Sequence, residues 1–250
     1  MPVAGAGELP AILLGGWAVE ATMVAPVLND WPGPVTVVSL DEELLLGCDS
    51  VSAVADALAR RYPGPGLWLG WSMGAQVAMA VAQQHPDQVR ALVTLAGFPC
   101  FVQTADWPFG MEPALFRQFV SDFADNPARA WQRFLRLQIR GDGQESAARA
   151  ALTPWLHRGS LLGPEALHKG LTWLAHTDQR KLWREVGIPA LHLFGERDPV
   201  VSARMAEMVL PPTARAAVIS GMAHWPCLGS LDRVRTELTD FVATLPGGAV

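Results

Sequence analysis

The chain has 250 residues, half of them hydrophobic, and a formal net charge of −5. This length and hydrophobic content predict one sizeable α/β domain, or at most two small ones, with a well-buried core. The acidic balance argues against whole-protein affinity for nucleic acid or anionic lipid, although a local basic patch is compatible with it.

The start of the chain, MPVAGAGELP, has neither the basic nor the apolar segment of a signal peptide. No apolar stretch reaches the roughly 18 residues that a membrane span needs. Three cysteines without a CxxC pair cannot all form disulfides, which favours a reducing compartment and gives no sign of zinc. We therefore expect a cytoplasmic protein without membrane contact, metal or cofactor. The cysteines are interpreted as small hydrophobic residues: Cys48, Cys100 and Cys227.

Six short apolar runs, bounded by Gly, Pro or Asp, recur along the chain. Because they are continuous rather than alternating, they are typical of strands covered on both faces, and the helix-like segments between most of them favour a parallel sheet. The predicted strands are 10–16, 35–40, 67–71, 90–97, 189–195 and 215–220. Apolar residues at helical spacing predict helices at 50–61, 74–84 and 231–244.

The alternation of strands and helices breaks between Gly97 and Gly187. A stretch of about ninety residues with helix-like patterns and many prolines is too long for a structureless loop in a compact domain. We therefore predict a helical lid insertion at 98–186, on a core formed by 1–97 and 187–250.

Residues 66–79, GLWLGWSMGAQVAM, change from an apolar strand pattern to a helix pattern at a serine between two glycines. The pentapeptide at 70–74 fits the G-x-S-x-G nucleophile elbow, whose glycines permit a strained strand-to-helix turn that exposes the serine oxygen. On its own the pentapeptide is a weak signal, and a simple turn serine is the alternative.

Acidic and histidine residues follow the last two predicted strands. In an open parallel sheet these strand ends converge, and the chain order Ser, Asp, His is the one that this elbow motif uses. A serine hydroxyl needs a histidine to take its proton and a carboxylate to orient that histidine. We therefore predict a triad of Ser72, Asp198 and His224, with Glu196 as the alternative acid.

An oxyanion forms when the serine attacks, and backbone N–H groups near the elbow must stabilise it. Met73 follows the serine and supplies one donor by its position in the motif. The second donor is expected from the loop after the first strand, Gly15-Gly16-Trp17, with the Trp17 N–H favoured.

At these residues the chain resembles the α/β-hydrolases, and among them the carboxylesterases that remove the methyl group from pimeloyl-[acyl-carrier protein] methyl ester in biotin synthesis. The resemblance rests on the loops of Asp198 and His224 and on four stretches of sequence: WLGWSMG at 68–74, ALVTLAGFPCF at 91–101, DWP at 106–108 and RFLRLQ at 133–138. It implies an α/β-hydrolase fold, with a mainly parallel sheet flanked by helices and a helical lid. It also implies a serine esterase whose partner is an acyl-carrier protein bearing a pimeloyl methyl ester.

The resemblance also assigns site residues. It makes Ser72, Asp198 and His224 the triad, and it makes Trp17 and Met73 contacts of the oxyanion and the substrate. Further substrate contacts are implied along the acyl channel, at Phe134, Leu135, Arg136, Leu137 and Gln138. The chain departs from the family pattern at Gly15, where a histidine is usual.

A basic stripe is predicted within the insertion. If 128–140 is a helix, four arginines fall within about 60° of one another, opposite Trp131, Phe134, Leu135 and Gln138. Residues 126–150 hold five arginines against two acids, a local charge of +3. Arginine favours phosphate and carboxylate recognition, so we predict a docking surface for the carrier, with a solvated basic face as the alternative. Its residues are Arg129, Arg133, Arg136, Arg140 and Arg149.

Two rival functions remain at this point. A broad short-chain esterase or thioesterase would act on free small substrates, and a non-catalytic binding protein would use the same scaffold without chemistry. We expect a monomer that binds no nucleic acid.

Overall fold

The computed structural model describes residues 9–245, and within them six parallel strands form one sheet in the order β2-β1-β3-β4-β5-β6. All six predicted strands and their parallel arrangement are confirmed. The start of the chain, from which the lack of a signal peptide was predicted, lies mostly outside the described residues. The strands are β1 (Ala11–Leu14), β2 (Val35–Val38), β3 (Gly66–Trp71), β4 (Val89–Leu95), β5 (Ala190–Gly195) and β6 (Ala214–Ile219).

The three predicted helices are confirmed within two residues at each end, as α2, α3 and α9. A helix at Glu42–Gly47 was not predicted. It is capped by Asp41, whose Oδ1 accepts a hydrogen bond from the Leu44 N–H at 3.0 Å. The helices are α1 (Glu42–Gly47), α2 (Val51–Arg61), α3 (Met73–Gln84), α4 (Pro113–Asp125), α5 (Pro127–Leu137), α6 (Glu145–Arg158), α7 (Pro164–His176), α8 (Arg180–Glu185) and α9 (Gly229–Ala243).

The middle of the sheet is covered on both faces. Every residue of β3 and β5 is buried, and only Arg90 of β4 is exposed. The outermost strands are different: Val35 and Val37 of β2 and Val218 of β6 are exposed. Continuous apolar runs therefore mark the centre of the sheet, where the loops of Ser72 and Asp198 begin, whereas the loop of His224 follows the edge strand β6.

The segment between β4 and β5 consists of helices α4 to α8, joined by turns and isolated β-bridges. Proline occupies the first position of α4, α5 and α7, where its missing N–H costs no hydrogen bond. One expectation needs correction, because α5 ends at Leu137 and does not continue to residue 140. Residues 138–141 form turns, and Gly141 has a φ of 84° that a helix cannot contain.

Among residues 9–245, no helix has both the length and the apolar composition required to cross a membrane.

Candidate active site

Ser72 lies in a sharp turn between β3 and α3. Its φ of 55° and ψ of −121° are strained for a residue with a side chain, and its N–H donates to Leu95 O at 2.9 Å. The flanking glycines make the turn possible: a Cβ on Gly70 would lie 2.2 Å from Gly74 O, and one on Gly74 would lie 2.5 Å from Gly15 O. The G-x-S-x-G motif therefore forms the strained elbow that the sequence predicts.

The three residues of the predicted triad form one chain of hydrogen bonds. His224 Nε2 lies 3.0 Å from Ser72 Oγ, and His224 Nδ1 lies 2.8 Å from Asp198 Oδ2. The side chains of His224 and Asp198 are 1% and 0% exposed, whereas Ser72 remains 9% exposed. This geometry suits transfer of the serine proton to Nε2 while the carboxylate holds Nδ1–H.

Backbone groups fix the Asp198 carboxylate. Its Oδ1 accepts hydrogen bonds from the N–H groups of Val200 and Val201, at 2.7 and 2.9 Å. The β5 end can approach the His224 loop because Gly195 has no side chain, and a Cβ there would lie 2.6 Å from Ala223 O. The loop thereby directs Oδ2 toward the histidine.

Glu196, the alternative acid, lies elsewhere in the same loop. Its Oε2 accepts from the Gly221 N–H at 2.8 Å and from the Ser220 hydroxyl at 3.2 Å. These hydrogen bonds hold the pKa of the Glu196 carboxyl below its usual value, and the bond from the Gly221 N–H contributes more than the bond from the Ser220 hydroxyl. The structure therefore brings Asp198, and not Glu196, to His224.

The loop after β1 lies directly beside the nucleophile. A Cβ on Gly16 would be 3.3 Å from Ser72 Cβ, and Ala18, two residues later, has a strained φ of 62°. Met73 is the first residue of α3, where an N–H has no acceptor within its own helix. Gly16 of the β1 loop and Met73 of α3 therefore border the elbow, and an oxyanion hole formed by the Trp17 and Met73 N–H groups stays a prediction.

The Trp17 ring joins the β1 loop to the helical segment. It is 2% exposed and makes edge-to-face contacts with Phe119, Phe123 and Phe134 at centroid distances of 5.8, 5.0 and 5.4 Å. Such pairs contribute roughly 0.5–1.5 kcal/mol each beyond area burial. This aromatic cluster places α4 and α5 over the loop that precedes the elbow.

The predicted acyl-channel residues divide into two groups. Phe134, Leu135 and Gln138 are buried on the inner side of the helical segment. Arg136 and Leu137 instead line a groove of about 470 Å³ on its outer side, together with Ile139, Leu156 and arginines. The structure thus separates Arg136 and Leu137 from the aromatic cluster around Trp17.

All five predicted docking arginines are exposed. Arg133 forms an ion pair with Asp122, and Arg149 forms one with Glu145 at 2.9 Å. Within the described part of the chain, no acidic side chain forms an ion pair with the other three arginines. Positive charge therefore remains on this arginine surface, which consists of Arg129, Arg133, Arg136, Arg140 and Arg149.

Sequence patterns did not reveal the contacts that hold the His224 loop. Gly143 N–H donates to Gly221 O at 2.9 Å, and Trp225 N–H donates to Gln138 O at 3.0 Å. These are backbone bonds, and no residue type in the sequence signals them. Trp71 is also involved, since its indole N–H donates to His224 O at 3.0 Å.

The other buried titratable groups are not arranged for catalysis. Burial lowers the pKa of His192 to about 3, and its Nδ1 lies 2.8 Å from Thr94 Oγ1 within the sheet. Burial also raises the pKa of the three cysteine thiols, that of Cys227 to about 12. Among residues 9–245, no three His, Cys, Asp or Glu side chains are grouped to hold a metal ion.

Comparison with known proteins agrees with the fold described above. Residues 48–230 match the family model of the α/β hydrolase fold. The esterase of Exiguobacterium antarcticum superposes with a TM-score of 0.76 at 16% identity, covering 96% of this chain and 94% of that one. A thermophilic esterase of Thermogutta terrifontis superposes with a TM-score of 0.72 at 18% identity, covering 96% and 92%. The chain belongs to the α/β hydrolase family.

Within this family the chain is similar in sequence to named esterases over nearly its whole length. The pimeloyl-[acyl-carrier protein] methyl ester esterase of Xanthomonas oryzae pv. oryzae is 34% identical, with 96% of this chain and 98% of the relative covered. The protein of the same name from Xylella fastidiosa is 32% identical, with 94% and 95% covered.

Proposed function

We propose that this protein is a serine carboxylesterase that hydrolyses the methyl ester of pimeloyl-[acyl-carrier protein]. The observation that supports the chemistry is the hydrogen-bonded chain from Ser72 Oγ through His224 to Asp198 Oδ2, with its acid and base buried. The full-length similarity to esterases of that name supports the substrate. Ester hydrolysis would free the pimeloyl carboxylate for biotin synthesis.

Acylation begins when Ser72 Oγ attacks the ester carbonyl carbon. His224 Nε2, 3.0 Å away, takes the hydroxyl proton as the C–O bond forms. The tetrahedral intermediate then expels methanol, which leaves with the proton from Nε2. In deacylation, His224 takes a proton from water as the water oxygen attacks the acyl-enzyme, and the proton returns to Ser72 Oγ. The products are methanol and the pimeloyl carboxylate on its carrier.

The negative oxygen of both intermediates needs hydrogen-bond donors at the elbow. We assign this role to the Met73 N–H, which follows Ser72 at the start of α3, and to the Trp17 N–H, which follows Gly16 in the β1 loop. Donors of this kind contribute roughly 2.7–4 kcal/mol each to transition-state stabilisation. Asp198 holds the His224 proton on Nδ1 and stabilises the imidazolium that forms at each transfer.

The arginine surface supports a substrate that is delivered on a carrier protein. Phosphate and carboxylate groups pair with guanidinium by two hydrogen bonds at once. An acyl group on the phosphopantetheine arm of an acidic carrier would present both groups, the phosphate on the arm and the carboxylates on the carrier surface. The acyl chain would then pass inward toward Phe134 and the Trp17 cluster, which connect the helical segment to the elbow.

Mass spectrometry of the carrier-bound pimeloyl methyl ester tests the reaction directly. Incubation with the protein should reduce the mass of the acyl-carrier by one methylene, and Ser72→Ala should leave it unchanged. An unchanged mass with the wild-type protein would refute the proposed substrate.

Charge reversal separates the carrier-bound substrate from the rival, a broad esterase for free small substrates. Arg129→Glu with Arg133→Glu should lower kcat/KM for the carrier ester, by roughly tenfold or more, and leave a free short-chain ester within about twofold. Arg60→Glu with Arg61→Glu, exposed on α2, is the matched control for the change in net charge. Equal losses on both substrates, or no loss on either, would refute carrier docking at this surface.

A further inference from the structure

Trp71 is the last residue of β3 and immediately precedes Ser72. Its side chain is fully buried, and its indole Nε1–H donates to the backbone oxygen of His224 at 3.0 Å. The indole and imidazole rings lie 5.8 Å apart between centroids, at an angle of 37°. Two residues 153 positions apart in the chain are thus joined inside the core.

The Trp71 ring also lies against the third part of the site. A Cβ on Gly16 would be 3.6 Å from Trp71 Cε3 and 3.3 Å from Ser72 Cβ. The elbow, the β1 loop and the His224 loop therefore meet at one indole. Asp198 fixes the His224 ring at Nδ1, whereas Trp71 fixes its backbone at the carbonyl oxygen.

We propose that Trp71 is a positioning residue of the reaction, which keeps His224 Nε2 in line with Ser72 Oγ. The inference rests on the proposed function only in that both use the same triad. Nε2 must accept and return a proton twice in each turnover, and a small misplacement of reacting groups can lower the rate by about 100-fold. Without the indole N–H, a buried carbonyl loses its hydrogen bond and the His224 loop can relax.

A matched residue separates this role from general packing. Trp68 lies on the same strand and is also fully buried, but its Nε1–H donates to Gln88 O at 3.3 Å. Phenylalanine at either position removes one indole N–H and shortens one buried ring. Only the change at Trp71 disturbs a contact with the triad.

The test compares Trp71→Phe with Trp68→Phe in the full-length protein. Active sites are titrated with a fluorophosphonate, kcat and KM are measured on a p-nitrophenyl ester, and Tm is measured by calorimetry. Trp71→Phe should lower kcat per titrated site by roughly tenfold or more and leave KM within about twofold. Trp68→Phe should keep kcat within about twofold of wild type, even if its Tm falls as far as that of Trp71→Phe. Equal kcat losses in the two variants, or wild-type kcat in Trp71→Phe, would overturn the proposal.

A second variant covers the case in which Trp71→Phe does not fold. Benzothienylalanine at position 71 keeps the shape of the indole and replaces its N–H with sulfur, so the loss of the hydrogen bond is isolated. It should reproduce the fall in kcat, and wild-type kcat would overturn the proposal.

The p-nitrophenyl ester also separates the proposed substrate from the proposed role of Trp71. If the wild-type protein hydrolyses this ester but not the carrier ester, the proposed substrate is refuted, and the comparison of Trp71→Phe with Trp68→Phe remains a valid test. A wild-type protein that is inert toward both the ester and the fluorophosphonate would refute both proposals.

Discussion

Asp198→Asn tests the triad sharply, because the backbone dictates how the new amide must lie. Asp198 Oδ1 accepts hydrogen bonds from Val200 N–H at 2.7 Å and Val201 N–H at 2.9 Å. The asparagine must keep its carbonyl oxygen there, since its NH₂ group would face two donors. The NH₂ group then takes the place of Oδ2, 2.8 Å from His224 Nδ1.

A donor at that place requires His224 Nδ1 to accept, so the ring carries its proton on Nε2 instead. Nε2–H then faces Ser72 Oγ and cannot take the hydroxyl proton. We therefore expect kcat to fall by about 10⁴-fold, which corresponds to about 5.4 kcal/mol of transition-state stabilisation. Tm should change little, because the shape of the side chain and the acceptor for both backbone N–H groups are retained.

The assay measures initial rates on a p-nitrophenyl ester and on the carrier ester, with Tm measured in parallel. Glu196→Gln is the matched control: it neutralises the neighbouring acid, which contacts Gly221 and Ser220 rather than His224. Its kcat should stay within about threefold of wild type. An Asp198→Asn protein that keeps more than about a tenth of wild-type kcat would refute the orientation of His224 by Asp198.

Three further outcomes are expected. Ser72→Ala should abolish fluorophosphonate labelling and lower turnover by about 10⁶-fold; persistent labelling would place the nucleophile elsewhere. Gly74→Ala puts a Cβ 2.5 Å from Gly15 O and should lower the unfolding free energy by about 1–3 kcal/mol. Gly187→Ala, with no atom within 4 Å of its Cβ, should not lower it. Equal urea midpoints for the two variants would contradict the predicted steric clash at Gly74. Burial lowers the pKa of His192 to about 3, from 6.5 when unfolded, so only the unfolded chain binds this proton between those pH values. Wild-type stability should therefore fall as the pH falls, by about 1.4 kcal/mol per unit from this group. His192→Phe should flatten that slope in urea titrations, and an unchanged slope would show that His192 is not its source.

The strands and the elbow could be predicted because their signals are local. A continuous apolar run reports burial on both faces, and Gly70 and Gly74 report a turn that a side chain would block. The meeting of Asp198 and His224 was predictable because parallel strands end at one edge of the sheet. The α5 boundary was not, since Arg140 keeps the helical spacing although the chain turns after Leu137.

Other parts of the site depend on contacts that no local pattern encodes. The bonds from Gly143 N–H to Gly221 O and from Trp225 N–H to Gln138 O join main-chain atoms far apart in the sequence. In the sequence Trp71 is one apolar residue of a predicted strand, and its contact with His224 O depends on where its indole N–H points after folding. Periodicity predicts which face of an element is buried but not the partner of a buried polar atom.

The same short segment, 138–144, joins the arginine-bearing helix α5 to both sides of His224. It follows Leu137, the last residue of α5, and its backbone forms hydrogen bonds with Gly221 and Trp225, which lie on either side of the histidine in the sequence. Because these bonds use main-chain groups, reversing the charge of an exposed arginine side chain leaves them intact. A loss confined to the carrier ester in Arg129→Glu with Arg133→Glu would therefore measure docking, whereas a loss shared with the free ester would mean that His224 itself has moved.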